Sequence, residues 1–225
     1  MKALVIGSSG GIGKALTECL RADTRFDTVA TLSRSADGLD ISNENSVSVC
    51  ARQMKQVHDA FDLIINAAGA LVIDGSVPEK SVKAIRVDAL MNQFLVNAIG
   101  PALLLKHFHG LLPRNARSLF ASLSARVGSI GHNRLGGWIS YRAAKAAQNQ
   151  IVNTASLEIA RTHPAAIVVA LHPGTVATQL SHPFISGHQA TSPEDAAARL
   201  LATIERLQPH QSGGFFSNDG QSIAW

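Results

Sequence analysis

Aromatic side chains are scarce in this chain of 225 residues, which has eight phenylalanines, two tryptophans and one tyrosine. Its net charge is only +4, and arginines such as Arg21, Arg34, Arg52, Arg86, Arg114, Arg126, Arg161 and Arg199 are scattered. A nucleic-acid surface needs a clustered basic face interleaved with aromatics, so nucleic acid is not an expected partner. There are two cysteines. Cys19 and Cys50 lie far apart within helix-like stretches, which argues against a disulfide framework and suits buried thiols in a reducing compartment. Nine histidines are present. However, His107 and His109 stand two apart on a helix and face different ways, and His132, His182 and His188 fall in loops without carboxylate or cysteine neighbours, so no metal site is expected. Long apolar runs are missing too. The opening MKALVIGSSGG is soon broken by glycine, and Leu95 to Leu105 is interrupted by Asn97, Gly100 and Pro101. Neither a signal peptide nor a membrane span is expected, and the cytoplasm is the expected location.

The chain does have the balance of a globular protein, with 46% hydrophobic and 16% charged residues, in a length that suits one domain spanning 1–225. Strand-like and helix-like runs alternate from end to end. That alternation predicts an α/β fold, a doubly wound, mainly parallel sheet with helices on both faces. Seven strands are predicted: KALVI, DTVATLS, a very short one near GLDI, FDLIINAAG, RSLFASLS, AAIVVALHPG and GGFFS. Helices are expected after the first glycines, after Ser42, from about Pro78 to Met91, from Asn97 to Leu112, from Ser140 to Arg161 and from Pro193 to Leu207.

The stretch GSSGGIG sits between the first strand and the first helix. Its glycines allow a tight turn, close approach of a phosphate to the backbone and close packing of the helix on the sheet, so a pyrophosphate at the helix N-terminus is the natural ligand. Gly7, Ser9, Gly10, Gly11, Ile12 and Gly13 are the candidate contacts. Where the second strand ends, an NAD site would place an acidic residue against the ribose. Here Ser33 and Arg34 stand instead. An arginine there can bond a 2′-phosphate, which favours NADP(H), with NAD(H) possible, although a solvated surface arginine gives the same sequence.

The only tyrosine lies in SYRAAK, four residues before Lys145. Positions four apart on a helix project from one face, so Tyr141 and Lys145 can form a working pair. A free phenol is a poor base near neutrality, and a neighbouring ammonium would favour its phenolate. Chance alone puts a lysine at that spacing about three times in a hundred.

These motifs together resemble the short-chain dehydrogenases/reductases, over essentially the whole chain. GSSGGIG is similar to the family's cofactor loop, NAAG (Asn66, Ala67, Ala68, Gly69) to its strand-four motif, YRAAK to its Tyr-x-x-x-Lys, and HPGTVAT to the segment beside the nicotinamide, with Pro173, Gly174, Val176 and Thr178. LSARVGSIGHNRLGGW and the ending GGFFSNDGQSIAW resemble a bacterial branch related to the C-factor cell-signalling proteins. The resemblance implies a Rossmann-type fold and reduction of a ketone or aldehyde, or oxidation of an alcohol, by hydride transfer. Tyr141 is then the general acid/base, and Lys145 holds the ribose and lowers the Tyr141 pKa. Ser124, chosen over Ser122, polarises the oxygen, and Asn97 completes a water-linked proton relay. Asp40, with Ile41, resembles the residue that pairs with adenine. The loop Arg126–Trp138 and the segment from Thr178 to Gln189 are expected to roof a substrate pocket walled by Leu135, Trp138 and Phe184. The resemblance also implies that the two long helices, with Leu104, Phe108, Ile151 and Ala155 on their outer faces, pair across a two-fold axis into a homodimer or homotetramer. A cofactor-binding regulatory or signalling protein on the same fold is the alternative reading.

Overall fold

The computed structural model describes residues 1–184 and 190–225. Six strands, β1 (Lys2–Ile6), β2 (Thr28–Leu32), β3 (Leu63–Asn66), β4 (Ser118–Leu123), β5 (Ala166–His172) and β6 (Phe215–Ser217), form one sheet in the order β2-β1-β3-β4-β5-β6. Every pairing is parallel. The central strands are apolar at both parities because both faces are covered. Leu4, Ile6, Ile64, Phe120 and Val168 meet one set of helices, α3 (Glu44–Val57), α5 (Gly100–Phe108) and α6 (Ile139–Ile159). Ala3, Val5, Ile65, Leu119 and Val169 meet the other, α1 (Gly11–Ala22) and α7 (Pro193–Arg206). Cys50 belongs to the first layer and Cys19 packs on the second, so the sheet separates the two free thiols.

The sheet has six strands, not the seven expected. After β2 the chain turns at once into a four-residue helix, α2 (Arg34–Asp37), with Ser33 as its N-cap and Gly38 left-handed behind it. Too little chain remains near GLDI to make a ladder. Leu39 and Ile41 serve as buried anchors instead, and β2 becomes the edge. The cap of α3 is Asn43, whose side chain accepts from Ser46 N, rather than Ser42.

The helix expected from Pro78 begins only at Val87, and it does not stop at Met91. α4 (Val87–Phe94) runs through a π turn, Leu95–Ile99, directly into α5. Pro101 cannot donate a helical hydrogen bond, and the wider turn just before it, closed by Gly100 N–H on the Leu95 carbonyl, lets the helix continue. Leu104 and Phe108, expected on an outer face, are wholly buried in the core, and Ile151 and Ala155 pack partly against it.

Candidate active site

Strand order reverses between β1 and β3, which opens a crevice at their carboxyl ends. Gly7 turns the chain there with φ +84°, and a Cβ on it would lie 2.6 Å from Ala68 N, so the loops after β1 and β3 touch. A Cβ on Gly13 would collide with the Gly7 carbonyl. α1 starts at Gly11 with no side-chain cap and no acid in its first turn, leaving the positive end of its dipole for an anion. A cavity of about 240 Å³ lies beside it, lined by Gly7, Ser9 and Gly10, by Ser33 and Arg34, and by Ile41 and the run Ala67, Ala68, Gly69. Across the turn, a Cβ on Gly11 would stand 2.8 Å from Thr178 Cγ2, so the segment after β5 closes over Gly11, while the adjoining Ile12 packs on the core between the sheet and α1. Asn218 Nδ2 donates to the Pro173 carbonyl at 2.8 Å and holds that segment down. These residues form a continuous cradle along the carboxyl ends of β1 and β3.

Asp40 is engaged by its own neighbours. Its carboxylate accepts from Ser42 Oγ at 2.6 Å and Ser42 N at 3.0 Å, and pairs with Arg34 Nη2 at 3.4 Å. The Ser42 bonds, more than Arg34, hold it below the usual carboxylate range. Ile41, not Asp40, lines the cavity.

At the other end, α6 carries Tyr141 and Lys145. Its N-cap, Trp138, is left-handed and caps nothing with its side chain. Capping comes from Glu79, a buried residue 61 positions away in sequence, whose carboxylate accepts from the N–H of Ser140 at 3.2 Å and from its hydroxyl. The Lys145 ammonium nitrogen is 5.8 Å from the centre of the Tyr141 ring, and it donates to Gln148 Oε1 at 2.8 Å and to the Leu123 carbonyl at 3.2 Å. Gln148 Nε2 donates in turn to Ser122 Oγ, which also accepts from Asn66 Nδ2, both at 2.9 Å. Asn66 thus braces the site from below rather than lining the cradle.

Asn97 sits in the π turn, wholly buried. Its Nδ2 donates to the Ala70 carbonyl and to Gln93 Oε1, each at 2.7 Å, and its Oδ1 accepts from Ala70 N at 3.2 Å. Gly69 brings Asn97 and Lys145 together: a Cβ there would lie 3.0 Å from Asn97 Oδ1 and 3.7 Å from Lys145 Nζ. Ser124 is not brought to Tyr141 in this way. Its hydroxyl donates to Asn149 Oδ1 at 2.6 Å, and Ala125 rather than Ser124 lines the cavity that Tyr141 faces.

That cavity holds about 600 Å³ and is bounded by Leu71, by Gly174, Thr175 and Val176 after β5, and by the expected walls Leu135, Trp138 and Phe184. Trp138 stands edge-on to both Tyr141 and Phe184, with ring centres 6.2 and 5.2 Å away. The part of the second roof segment at 185–189 lies outside the described residues, His188 included.

Burial dominates the electrostatics. It raises the Tyr141 pKa above that of a free phenol, and it pushes the Lys145 ammonium down to about 7. The expected lowering of the phenol by Lys145 is therefore outweighed in the protein alone, because desolvation disfavours both charged forms. His172 is pushed down to about 4, first by burial and then by Arg126.

Sequence reasoning missed Glu79, Gln148 and Asn149. Asn149 continues the four-residue spacing of Tyr141 and Lys145 and was open to detection on that ground. No local pattern links Glu79 to the start of α6.

Residues 1–188 match the short chain dehydrogenase family. The chain is 30% identical to 1-hydroxy-2-glutathionyl-2-methyl-3-butene dehydrogenase of Rhodococcus sp. (strain AD45), over 99% of its own length and 98% of the relative's. It is 34% identical to C-signal of Myxococcus xanthus over 59% of this chain and 76% of that one. The fold matches that of the NADPH-bound carbonyl reductase from chicken fatty liver with a TM-score of 0.86 and 22% identity, covering all of this chain and 98% of that one. The protein belongs to the short-chain dehydrogenase family, and is an oxidoreductase of that class.

Proposed function

We propose that this enzyme is an NADP(H)-dependent reductase that converts a ketone or aldehyde to an alcohol, or the reverse, with Tyr141 as general acid and base. One observation carries the reading: the Tyr141 ring stands in the wall of the large cavity, beside Gly174–Val176 and one helical turn before the buried Lys145. The solved carbonyl reductase from chicken fatty liver holds NADPH, and the Rhodococcus relative is named a dehydrogenase of a hydroxy compound.

When bound, the dinucleotide supplies a hydride to the carbonyl carbon. The first turn of α1 would take the pyrophosphate, and Arg34 the 2′-phosphate. The Tyr141 hydroxyl gives its proton to the oxygen as the C=O becomes an alkoxide. Its raised pKa keeps that proton in place at neutral pH, which suits reduction; oxidation needs the phenolate and is helped by rising pH. Lys145 in its charged form binds the ribose hydroxyls and stabilises the phenolate left behind. Asn97 Oδ1 retains one lone pair for a water on the path that returns the proton. Ser124 we assign to bracing β4 against α6 through Asn149.

Single-turnover reduction of a carbonyl panel with saturating NADPH tests the reading. Tyr141→Phe keeps the ring, so NADPH affinity should hold while reduction falls by about a hundredfold or more. An unchanged rate would mean that another group delivers the proton. Arg34→Asp should narrow or reverse a preference for NADPH over NADH of about tenfold or more.

A second reading, a cofactor-binding signalling protein, draws on the likeness to C-signal. It predicts that Tyr141→Phe leaves the cellular phenotype intact. We further propose a homodimer. The support is an exposed apolar stripe, Val87, Met91, Leu95 and Ile99, on the outer side of α4 and the π turn.

A further inference from the structure

The cavity beside Tyr141 is basic as well as large. Arg126, Arg134 and Arg142 line it with His132 and His172, and no aspartate or glutamate is among its described lining residues. Positions 185–189 contain none either. The three arginines differ in what they already hold. Arg142 is a structural cation, whose guanidinium donates to the carbonyls of Gly137, Gly136 and Val127 at 2.9, 3.2 and 3.4 Å and fixes the loop before α6. Arg126 and Arg134 are exposed, and neither makes an ion pair among the described residues. Among the described residues, Arg134 donates only to the neighbouring Asn133 carbonyl, at 3.2 Å. Asp219 feels the charge of Arg126, yet the two make no ion pair, and its Oδ1 already accepts from Ser217 Oγ and, at 3.0 Å, from Gln221 N. His172 accepts the Arg126 backbone N–H on Nδ1 at 3.3 Å and adds no competing acid.

Two guanidinium forks without an ion-pair partner among the described residues thus border a cavity whose apolar walls are Leu71, Leu135, Trp138 and Phe184. Apolar walls reduce screening, and a planar fork matches a carboxylate with two parallel hydrogen bonds. We propose that the substrate carries a carboxylate remote from its carbonyl, held by Arg126 and Arg134, while its apolar body lies along Trp138 and Phe184. Only the placing of the carbonyl at Tyr141 rests on the reductase reading above; the anion site does not.

The test pairs reaction with binding, on the full chain with NADP(H). Succinic semialdehyde, para-formylbenzoate and longer ω-oxo acids are each compared with their methyl esters, which keep the aldehyde and remove the charge. At least one acid should show a KM about tenfold or more below its ester, the gain expected from a charge-assisted pair. In the Arg126→Gln/Arg134→Gln protein that acid-to-ester ratio should collapse toward one while the Kd for NADPH holds. Equal KM values for acids and esters in the unmutated protein, or a double variant that weakens NADPH as much as the acids, would overturn the proposal. Calorimetric binding of para-(hydroxymethyl)benzoate in the presence of NADPH, which cannot take a hydride from the alcohol, supplies a readout free of turnover. Arginine-dependent binding without reduction of any aldehyde would sustain the anion site and sink the reductase. Brisk turnover with no preference for acids, and no such binding, would do the opposite.

Discussion

Among the described residues no carboxylate bonds Lys145; its nitrogen rests on the Leu123 carbonyl and Gln148 Oε1. The unfolded chain keeps the proton of this lysine to near the ordinary lysine value of 10.5, whereas the folded protein loses it at about 7. Between those values the unfolded state binds the extra proton, so stability should rise with pH, by up to ~1.4 kcal/mol per unit. Tyr141 acts in the opposite sense only above the ordinary phenol range, where the folded state keeps the proton that the unfolded state loses. Urea denaturation of the cofactor-free protein from neutral pH upward should show this slope, and Lys145→Met should flatten it. Ser124 offers a second test. Ser124→Ala leaves the buried Asn149 carboxamide without its donor, which should cost about 1–3 kcal/mol of stability yet leave reduction within about tenfold. A hundredfold loss of rate at unchanged stability would instead place that hydroxyl on the substrate oxygen. The sequence marked Tyr141 by its four-residue spacing to Lys145, whereas Ser124 rested on the family resemblance alone and was chosen over Ser122. It could not say where a hydroxyl points, because that depends on which residue of α6, here Asn149, stands opposite.

Helix α6 takes its N-terminal cap from outside itself, and this decides how firmly Tyr141 is held. Glu79 brings a carboxylate to the positive end of the helix and takes the first-turn Ser140. Glu79→Ala should destabilise the protein by about 1–3 kcal/mol and lower kcat more than it changes the KM for NADPH, since the helix start moves while the cradle at α1 does not. Glu79→Gln, which keeps an acceptor, should restore most of both; stability unmoved by Glu79→Ala would show the cap to be dispensable. Strands and the glycine turn were legible because continuous apolar runs and clustered glycines are local signals. The π turn and the lost third strand were not. Asn97, Gly100 and Pro101 read locally as a helix start, whereas the fold continues the helix through them; near GLDI the capping of α2 by Ser33 took the residues that a strand would have used.

On the scale of the whole molecule, the parallel sheet and its crevice followed from the alternation of elements, but the inner and outer sides of the helix from Val87 to Leu111 did not. That helix is apolar on both: Leu104, Leu105 and Phe108 are buried in the core, while Val87, Met91, Leu95 and Ile99 remain 73, 65, 36 and 45% exposed. A sequence apolar all round does not say which side meets the sheet. The exposed set recurs every four residues and so forms one stripe that drifts slowly around the helix. A two-fold axis would set this stripe against its own copy and remove it from water without any other partner. The unmutated protein should therefore be a dimer at micromolar concentration by light scattering, and Met91→Glu with Ile99→Glu should give a folded monomer, because both side chains point away from the core and two like charges would face each other across the axis. If the unmutated chain is already a monomer, the stripe has some other occupant; if the double variant is still a dimer, the axis lies on another face.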